Sequence, residues 1–398
     1  MALALPTAAE FPVLAREGLT YLDSAATAQT ARPVLEAMDR YYTEYRASIH
    51  RGVYPLAAEA TDAYEGARDR VAAFAGSTPG ETIFTRNATE ALNLVARGWG
   101  GTHAGPDDLV VVTRMEHHSN IVPWQMLGCR LAYAEVGDDG LLDLDSLDAL
   151  LAQGPKAVAV AHVSNVLGTV NPIEEIARRA HEAGAIIVVD GTQAAPHMPL
   201  DVAALGADFY AWTGHKAYGP TGIGVLHGRR ELLDVTEPLL GGGHMISRVG
   251  DFESTWAEPP AKFEAGTMPI AEAIGLGAAV EWLEGIGMEN VWEHSRDVVG
   301  YAVERLGEVE DLTLHGPSDL AHRGAVCSFA LEGIHPHDVA EILGRDGVCV
   351  RAGHHCAQPL MRHLGVPATS RASFAVHSTR DDVDRLIEGL ATVREVFA

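Results

Sequence analysis

Lysine is nearly missing from this chain: only Lys156, Lys216 and Lys262 occur among 398 residues, and arginine carries the remaining positive charge. Together 29 Lys and Arg face 54 Asp and Glu, a formal net charge of -25. So acidic a chain is repelled by a phosphate backbone and by an anionic bilayer, so neither nucleic acid nor membrane is expected as a partner. The excess charge reads instead as solubility, or as a docking surface for a basic partner. No apolar run approaches the roughly 18 residues of a membrane span. The opening stretch MALALPTAAEFPVLAREG has neither a basic region nor a clear apolar core, so no secretory leader is expected. Cysteine is sparse as well. Cys129, Cys327, Cys349 and Cys356 are scattered without metal-ligand spacing, which suits a reducing compartment, and a cytoplasmic location is expected. Internal repeats and low-complexity stretches are absent.

What remains is an ordinary globular composition, 47% hydrophobic. The chain is too long for one ordinary core, and two domains are expected. Strand-like and helix-like segments alternate through the first two thirds. The pattern predicts strands at Thr82–Thr85, Leu109–Val112, Ala157–His162, Ile186–Asp190, Asp208–Thr213 and Gly222–Leu226. Helices are expected at Ala88–Arg97 and Ile173–Ala183. Continuous apolar strands separated by helices indicate an α/β protein with a parallel sheet covered on both faces, whose ligands sit at the carboxyl ends of the strands. From Ala271 the pattern changes to a long helix, Ala271–Leu283, then further helices and strands near Val326–Leu331 and Val348–Val350. Val383, Leu386, Ile387, Leu390 and Val393 mark a closing amphipathic helix with Thr379 as its N-cap. The expected division is a large domain over 20–280 and a smaller one formed by 1–19 with 281–398.

Several strand ends carry unusual residues. Asp190 closes a buried apolar strand, where a carboxylate is costly unless it caps the next helix or meets a cation, such as a pyridinium nitrogen. Lys216 follows another such strand in Thr213-Gly214-His215-Lys216. Desolvation there lowers an amine pKa and suits Schiff-base chemistry, whereas Lys156 and Lys262 lie in loops. Thr85–Glu90 turns a strand into a helix, where free N–H groups and the Thr89 hydroxyl favour an anion; an ordinary helix start capped by Asn87 explains the same residues. His117 and His118 follow a third strand. One of them suits stacking on a flat ring, while adjacent histidines without a third ligand at helical spacing do not suit a metal. Cys356, in Arg351-Ala352-Gly353-His354-His355-Cys356, has cationic and histidine neighbours that favour thiolate, so it is the candidate nucleophile; the other cysteines read as packing. Arg371 opens an apolar strand, either as a structural ion pair or as a bidentate grip on a substrate carboxylate.

Taken together these segments resemble the class V aminotransferase family of fold-type I pyridoxal-phosphate enzymes, and within it the SufS-like group II cysteine desulfurases. The most specific matches are Glu116–Val122, Val163–Gly168, Thr213–Lys216, Phe263–Thr267 and Arg351–Cys356. The likeness runs from Tyr21-Leu22-Asp23-Ser24-Ala25-Ala26 to the C-terminal helix. It implies a large domain with a mostly parallel seven-stranded sheet, a smaller α+β domain carrying the cysteine loop, and pyridoxal 5'-phosphate as cofactor. By position it implies that Lys216 forms the Schiff base, Asp190 meets the pyridine nitrogen, Gln193 bonds the ring hydroxyl and His117 stacks on the ring. Thr89, Thr213 and His215, with Ala88 in the same turn as Thr89, hold the phosphate, helped by Thr267 from the other subunit of a homodimer. Asn165 and Arg371 grip the substrate carboxylate, and Arg351 stands beside Cys356.

The family often has Gly-Thr-Thr where this chain has Asn87-Ala88-Thr89, and Gly-Thr-Pro-Asn where it has Gly266-Thr267-Met268-Pro269. The implied reaction converts L-cysteine to L-alanine and leaves a persulfide on Cys356. Its sulfur then passes to an acceptor of the SufE or SufU kind, for iron–sulfur cluster assembly. A selenocysteine lyase, another class V enzyme of a biosynthetic pathway, and a silent assembly scaffold are the alternatives; intact Lys216, Asp190 and Cys356 speak against the last.

Overall fold

The computed structural model describes residues 8–397. The first seven residues of the opening stretch, and the last residue of the second expected domain, lie outside the described residues.

A seven-stranded sheet organises the first two thirds of the chain. Its strands are β1 (Thr82–Thr85), β2 (Leu109–Thr113), β3 (Arg130–Ala134), β4 (Ala157–Ala161), β5 (Ile186–Asp190), β6 (Phe209–Thr213) and β7 (Gly224–Gly228), in the spatial order β1-β7-β6-β5-β4-β2-β3. Both faces are apolar because side chains alternate along each strand. Val111, Val158, Val160, Ile187, Val189 and Tyr210 pack in one core. Val110, Val112, Ala157, Ala159, Val188 and Phe209 pack in another, across the sheet.

The sheet is mostly parallel, as expected, and one strand runs against the others. β7 runs antiparallel to both β6 and β1. The segment 214–223, which joins β6 to β7, is too short to carry a crossover helix, so the chain returns beside its own strand. Strand and helix ends also shift. The sixth and seventh strands begin at Phe209 and Gly224 rather than Asp208 and Gly222, and the fourth ends at Ala161. The helix after β1 is regular over Ala88–Leu94, then continues as a wider π-turn, Val95–Trp99. β3 and the helix Leu144–Leu151 escaped the sequence reading. β3 is an edge strand whose first residue is exposed, so it lacks the continuous apolar run of its neighbours.

The rest of the chain builds a four-stranded antiparallel sheet from β8 (Leu312–His315), β9 (Val326–Leu331), β10 (Arg351–Gly353) and β11 (Thr369–Ser373), in the order β8-β9-β11-β10. Cys327, Phe329, Ala372 and Phe374 pack there against Val298 and Ala302 of helix Met288–Gly307 and against Val383, Leu386 and Leu390 of the closing helix Arg380–Phe397. Thr379 opens that helix with a reciprocal cap: its hydroxyl accepts from Asp382 N–H (3.2 Å), and Asp382 Oδ2 accepts from Thr379 N–H (2.8 Å). The strand expected at Val348–Val350 is split. Val348–Cys349 pairs in parallel with Thr20–Tyr21, and the chain then moves one residue on to enter β10. The N-terminal segment therefore ties itself to the smaller sheet, with Leu22 inside its core.

Candidate active site

The carboxyl ends of β1, β2, β4, β5 and β6 and the cysteine loop converge on a cavity of about 330 Å³. Ala88, Thr89, His117, Asn165, Asp190, Gln193, Thr213, His215, Lys216, Arg351, Cys356 and Arg371 all line it, so twelve of the thirteen residues singled out by sequence share one site. Thr267 does not. It faces a separate open groove that also borders Asn87 and His215.

The floor is made by the carboxyl ends of β5 and β6. Asp190 is buried, and its Oδ1 accepts from Thr192 N–H (3.0 Å); among the described residues no cationic side chain lies within 4 Å of its carboxylate. Asp190 therefore receives the local turn bond of the capping alternative, yet its charge remains unmatched inside the fold. Lys216 sits in the 3₁₀ turn Gly214–Lys216 just beyond β6. Protein encloses it on every side except the cavity, and burial, then Arg371, holds its amine down to about 8 against the opposing pull of Asp190. Two glycines make this floor possible. A Cβ on Gly191 would lie 2.0 Å from the Tyr210 ring, and one on Gly224 would lie 2.5 Å from the Asn87 backbone.

At the rim, Asn87 caps its helix by accepting from Glu90 N–H (3.0 Å), as the ordinary reading of that turn requires. That leaves the Thr89 hydroxyl free to bond Ser119 Oγ (2.7 Å), a cavity residue the sequence reading missed. His117 Nδ1 accepts from Ser119 N–H (3.1 Å). Burial pushes this imidazole down to about 4, so the ring is neutral and its proton sits on Nε2. The His117 turn is itself anchored by Glu116, which accepts from Thr113 Oγ1 (2.6 Å), Asn120 Nδ2 (2.6 Å) and Ala161 N–H (2.9 Å). Burial raises that carboxyl to about 7, with the hydrogen bonds from Thr113, Asn120 and Ala161 opposing. His215 is also pushed down to about 4, by burial and then Lys216, and contacts Thr27 Oγ1 through Nδ1 (3.1 Å). Gln193 donates its amide to Ala25 O (2.8 Å).

The opposite wall comes from the small sheet. His355 and Cys356 both adopt left-handed backbone, with φ of 51° and 56°. Two consecutive non-glycine residues there cost about 1–2 kcal/mol each. Neighbouring bonds hold the turn in place: His118 N–H to Cys356 O (2.8 Å), Gln358 N–H to His118 Nε2 (3.1 Å), and Asn165 Nδ2 to His355 O (2.7 Å). His355 itself is buried, donates Nε2–H to Thr369 O (3.1 Å), and is held near 3 by burial and then Arg371. The result exposes Cys356 at the cavity mouth, while Cys129 and Cys327 are buried.

Arg371 lies in the middle of β11 rather than at its start, and it is fully buried. Its Nη1 donates to Asn165 O (2.9 Å), Nη2 approaches Asp23 at 3.5 Å, and its Nε–H has no partner among the described residues. Burial draws this guanidinium down to about 10, with Asp23 opposing. A buried guanidinium with a spare donor, beside a cavity that also holds an unmatched carboxylate and an amine, suits a zwitterionic ligand. Among the described residues, no group of three His, Cys, Asp or Glu side chains is placed to hold a metal ion. Nor is any helix long and apolar enough to cross a membrane.

Other sequence signals proved architectural. Lys262 is buried and donates to Leu233 O (3.2 Å) and Asp234 O (2.9 Å). Glu264, within the Phe263–Thr267 segment, forms a buried two-pronged pair with Arg68 (2.7 and 2.8 Å) and also accepts from Phe84 N–H (2.8 Å). The pair pins the Thr267 loop to the helix Pro55–Phe74 and the Phe84 bond ties it to β1, and no sequence spacing announces either.

Known proteins resemble this chain over nearly its whole length. A probable cysteine desulfurase of Streptomyces coelicolor is 52% identical over 98% of this chain and 96% of its own length. A cysteine desulfurase of Haloferax volcanii is 48% identical, covering 96% of this chain and 90% of its own. Among solved structures, the apo cysteine desulfurase of Thermococcus onnurineus superposes with a TM-score of 0.94 at 42% identity, covering 99% and 100% of the two chains. The cysteine desulfurase CsdA of Escherichia coli gives 0.91 at 37%, covering 98% and 97%. Residues 20–386 match the aminotransferase class-V family, and the chain belongs to it.

Proposed function

We propose that this protein is a cysteine desulfurase that converts L-cysteine to L-alanine and carries the removed sulfur as a persulfide on Cys356. The observation that carries the reading is the meeting of Lys216, Asp190 and Cys356 around one cavity, with Arg371 behind them.

Class V membership implies dependence on pyridoxal phosphate, and the residues present fit that group. Among the described residues, Asp190 offers a buried carboxylate that lacks a cation and Thr192 a buried hydroxyl without a partner, and Lys216 is a desolvated amine. Lys216, Asp190, Gln193 and His117 would hold the ring, and Ala88, Thr89, Thr213 and His215 the phosphate. When bound, the group supplies an electron sink for the charge left when a Cα proton is removed. Lys216 is the base: its amine, lowered to about 8, is neutral in part near neutrality, far more than an ordinary lysine, and the neutral form takes that proton. Arg371 and Asn165 hold the substrate carboxylate and fix which proton faces Lys216.

Cys356 thiolate then attacks the substrate sulfur. The S–S bond forms as the C–S bond breaks, the electron pair stays with the substrate carbon, and one proton taken up at Cβ, with return of the proton held by Lys216 to Cα, completes alanine. The Cys356 sulfur is oxidised as the substrate carbon is reduced, so no external oxidant enters. Arg351 provides positive charge beside the thiolate.

The SufS-like assignment extends this reading. The cysteine turn is short, running from Gly353 to the helix Gln358–His363, so Cys356 is exposed but has little reach. That supports hand-over to a docking acceptor protein of the SufE or SufU kind, with iron–sulfur assembly in the cytoplasm as the destination. A homodimer is supported by Thr267, which lies outside its own chain's cavity, and by fully exposed Val53 and Phe252.

The deciding experiment adds L-cysteine to protein loaded with pyridoxal phosphate, then maps persulfide by alkylation and mass spectrometry while alanine is counted. A persulfide on Cys356 with matching alanine is expected. Bound cofactor with no persulfide would move the assignment to a different class V reaction.

A further inference from the structure

The segment 20–28 crosses the whole site. Tyr21 pairs with Cys349, Asp23 bridges to Ser373, Ala25 O takes the Gln193 amide, and Ala28 N–H donates to His215 O (2.9 Å). One charged side chain on this strap reaches the site. Asp23 receives Arg351 Nε on both oxygens (3.2 Å each) and Arg351 Nη2 on Oδ2 (3.0 Å), and its Oδ1 lies 3.5 Å from Arg371 Nη2. Two guanidinium cations that line the cavity thus share a single carboxylate, and one positive charge is left over.

We propose that Asp23 is a positioning residue for substrate recognition: it holds Arg351 and Arg371 side by side so that their unmatched positive charge accepts one amino-acid carboxylate. The proposal rests on the reading that Arg371 grips that carboxylate. Asp23 occupies most of Arg351 but touches Arg371 only at ion-pair range, longer than a full hydrogen bond. Arg371 keeps its Nε–H unspent as a result. Without Asp23, the buried Arg371 and the half-exposed Arg351 repel each other unscreened by a carboxylate, and nothing fixes the Arg351 fork. The pairing also sets a pH limit. Arg371 binds a carboxylate only as a cation, and Asp23 works against the burial that draws it down to about 10. Removing Asp23 therefore lowers that limit, and affinity is lost at a lower pH as pH rises.

The test uses cofactor-loaded Asp23→Asn and Asp23→Glu, with kcat and KM for L-cysteine measured across pH and L-alanine binding followed by calorimetry. Asp23→Asn should raise KM about tenfold with kcat within about twofold, weaken L-alanine equally, and bring the alkaline loss of affinity to lower pH. Asp23→Glu keeps the charge while displacing the guanidinium groups, so it should raise KM a few-fold with the alkaline limb unmoved. It also keeps the proposal testable if the Asn variant does not fold, because an unaltered KM in Asp23→Glu would overturn it. Arg371→Lys separates the two readings. A raised KM in Arg371→Lys beside unchanged Asp23 variants rejects the role of Asp23 alone. An unchanged KM in Arg371→Lys rejects Arg371 as the carboxylate grip.

Discussion

The two walls of the cavity are built on opposite principles. The Lys216 wall grows from strand ends of a two-faced sheet. Its backbone is regular, its ionisable groups are largely buried, and desolvation pushes Lys216, His117 and His215 down. The Cys356 wall is a left-handed turn on an antiparallel sheet. It is exposed and strained, and it is held by bonds that cross to His118 and Asn165. The difference fits the two tasks proposed for these walls. Proton transfer from carbon needs a base whose pKa and position are fixed by burial. A sulfur carrier must meet first a substrate and then a partner, so it needs exposure, and the turn obtains it at the cost of backbone strain.

Removing the base should have the largest effect. Lys216→Ala should lower alanine formation by at least about 10³-fold and change the visible absorption of the bound cofactor; an unaltered spectrum would defeat the assignment. Cys356→Ser should leave that spectrum intact while lowering turnover on L-cysteine by at least about a hundredfold. The same variant retaining selenocysteine turnover would instead favour a selenocysteine lyase.

Stability measurements sharpen the contrast further. Glu264→Gln removes the buried counter-charge of Arg68 and leaves only the half-exposed Glu65 (2.9 Å) beside it, so it should cost about 3 kcal/mol in urea unfolding; a loss below about 1 kcal/mol would show that the pair is dispensable. Gly224→Ala drives a methyl into the Asn87 backbone and should cost about 1–3 kcal/mol while weakening cofactor retention.

The smallest effect concerns pH. In cofactor-free protein Lys216 titrates near 8, against 10.5 when unfolded. Between those values the unfolded chain binds more protons, so stability should rise with pH, by about 1–2 kcal/mol given the partial exposure of Lys216 to the cavity. Lys216→Met should flatten that slope, and a wild-type slope in the variant would locate the effect elsewhere.

Legibility in the sequence followed the same contrast. The strand-end wall could be read early, because runs such as Ile186–Asp190 break the apolar pattern with a single charge and that break is itself the signal. Lys216 stood out among three lysines. The Cys356 turn was recognisable only as a cluster of residue types. His355 gives no hint that it would adopt left-handed backbone, since histidine rarely does and glycine was available two residues earlier. Ser119 and Asp23 were passed over because a serine after two histidines and an aspartate in a loop each have many ordinary uses. Glu264 was quoted only within a motif, its partner Arg68 lying far away in sequence.

The sequence by itself determined the class of sheet, the few strand ends at which chemistry is possible, and the choice of Lys216 and Cys356. These follow from local causes: apolar periodicity, helix starts, and the expense of a charge at the end of a buried strand. Tertiary structure alone decided the antiparallel return of β7, the sharing of Asp23 between two arginines, and the seating of the cysteine turn against His118. Each depends on contacts between segments remote along the chain, where the energy lies in the meeting of two groups and neither carries a mark of it alone.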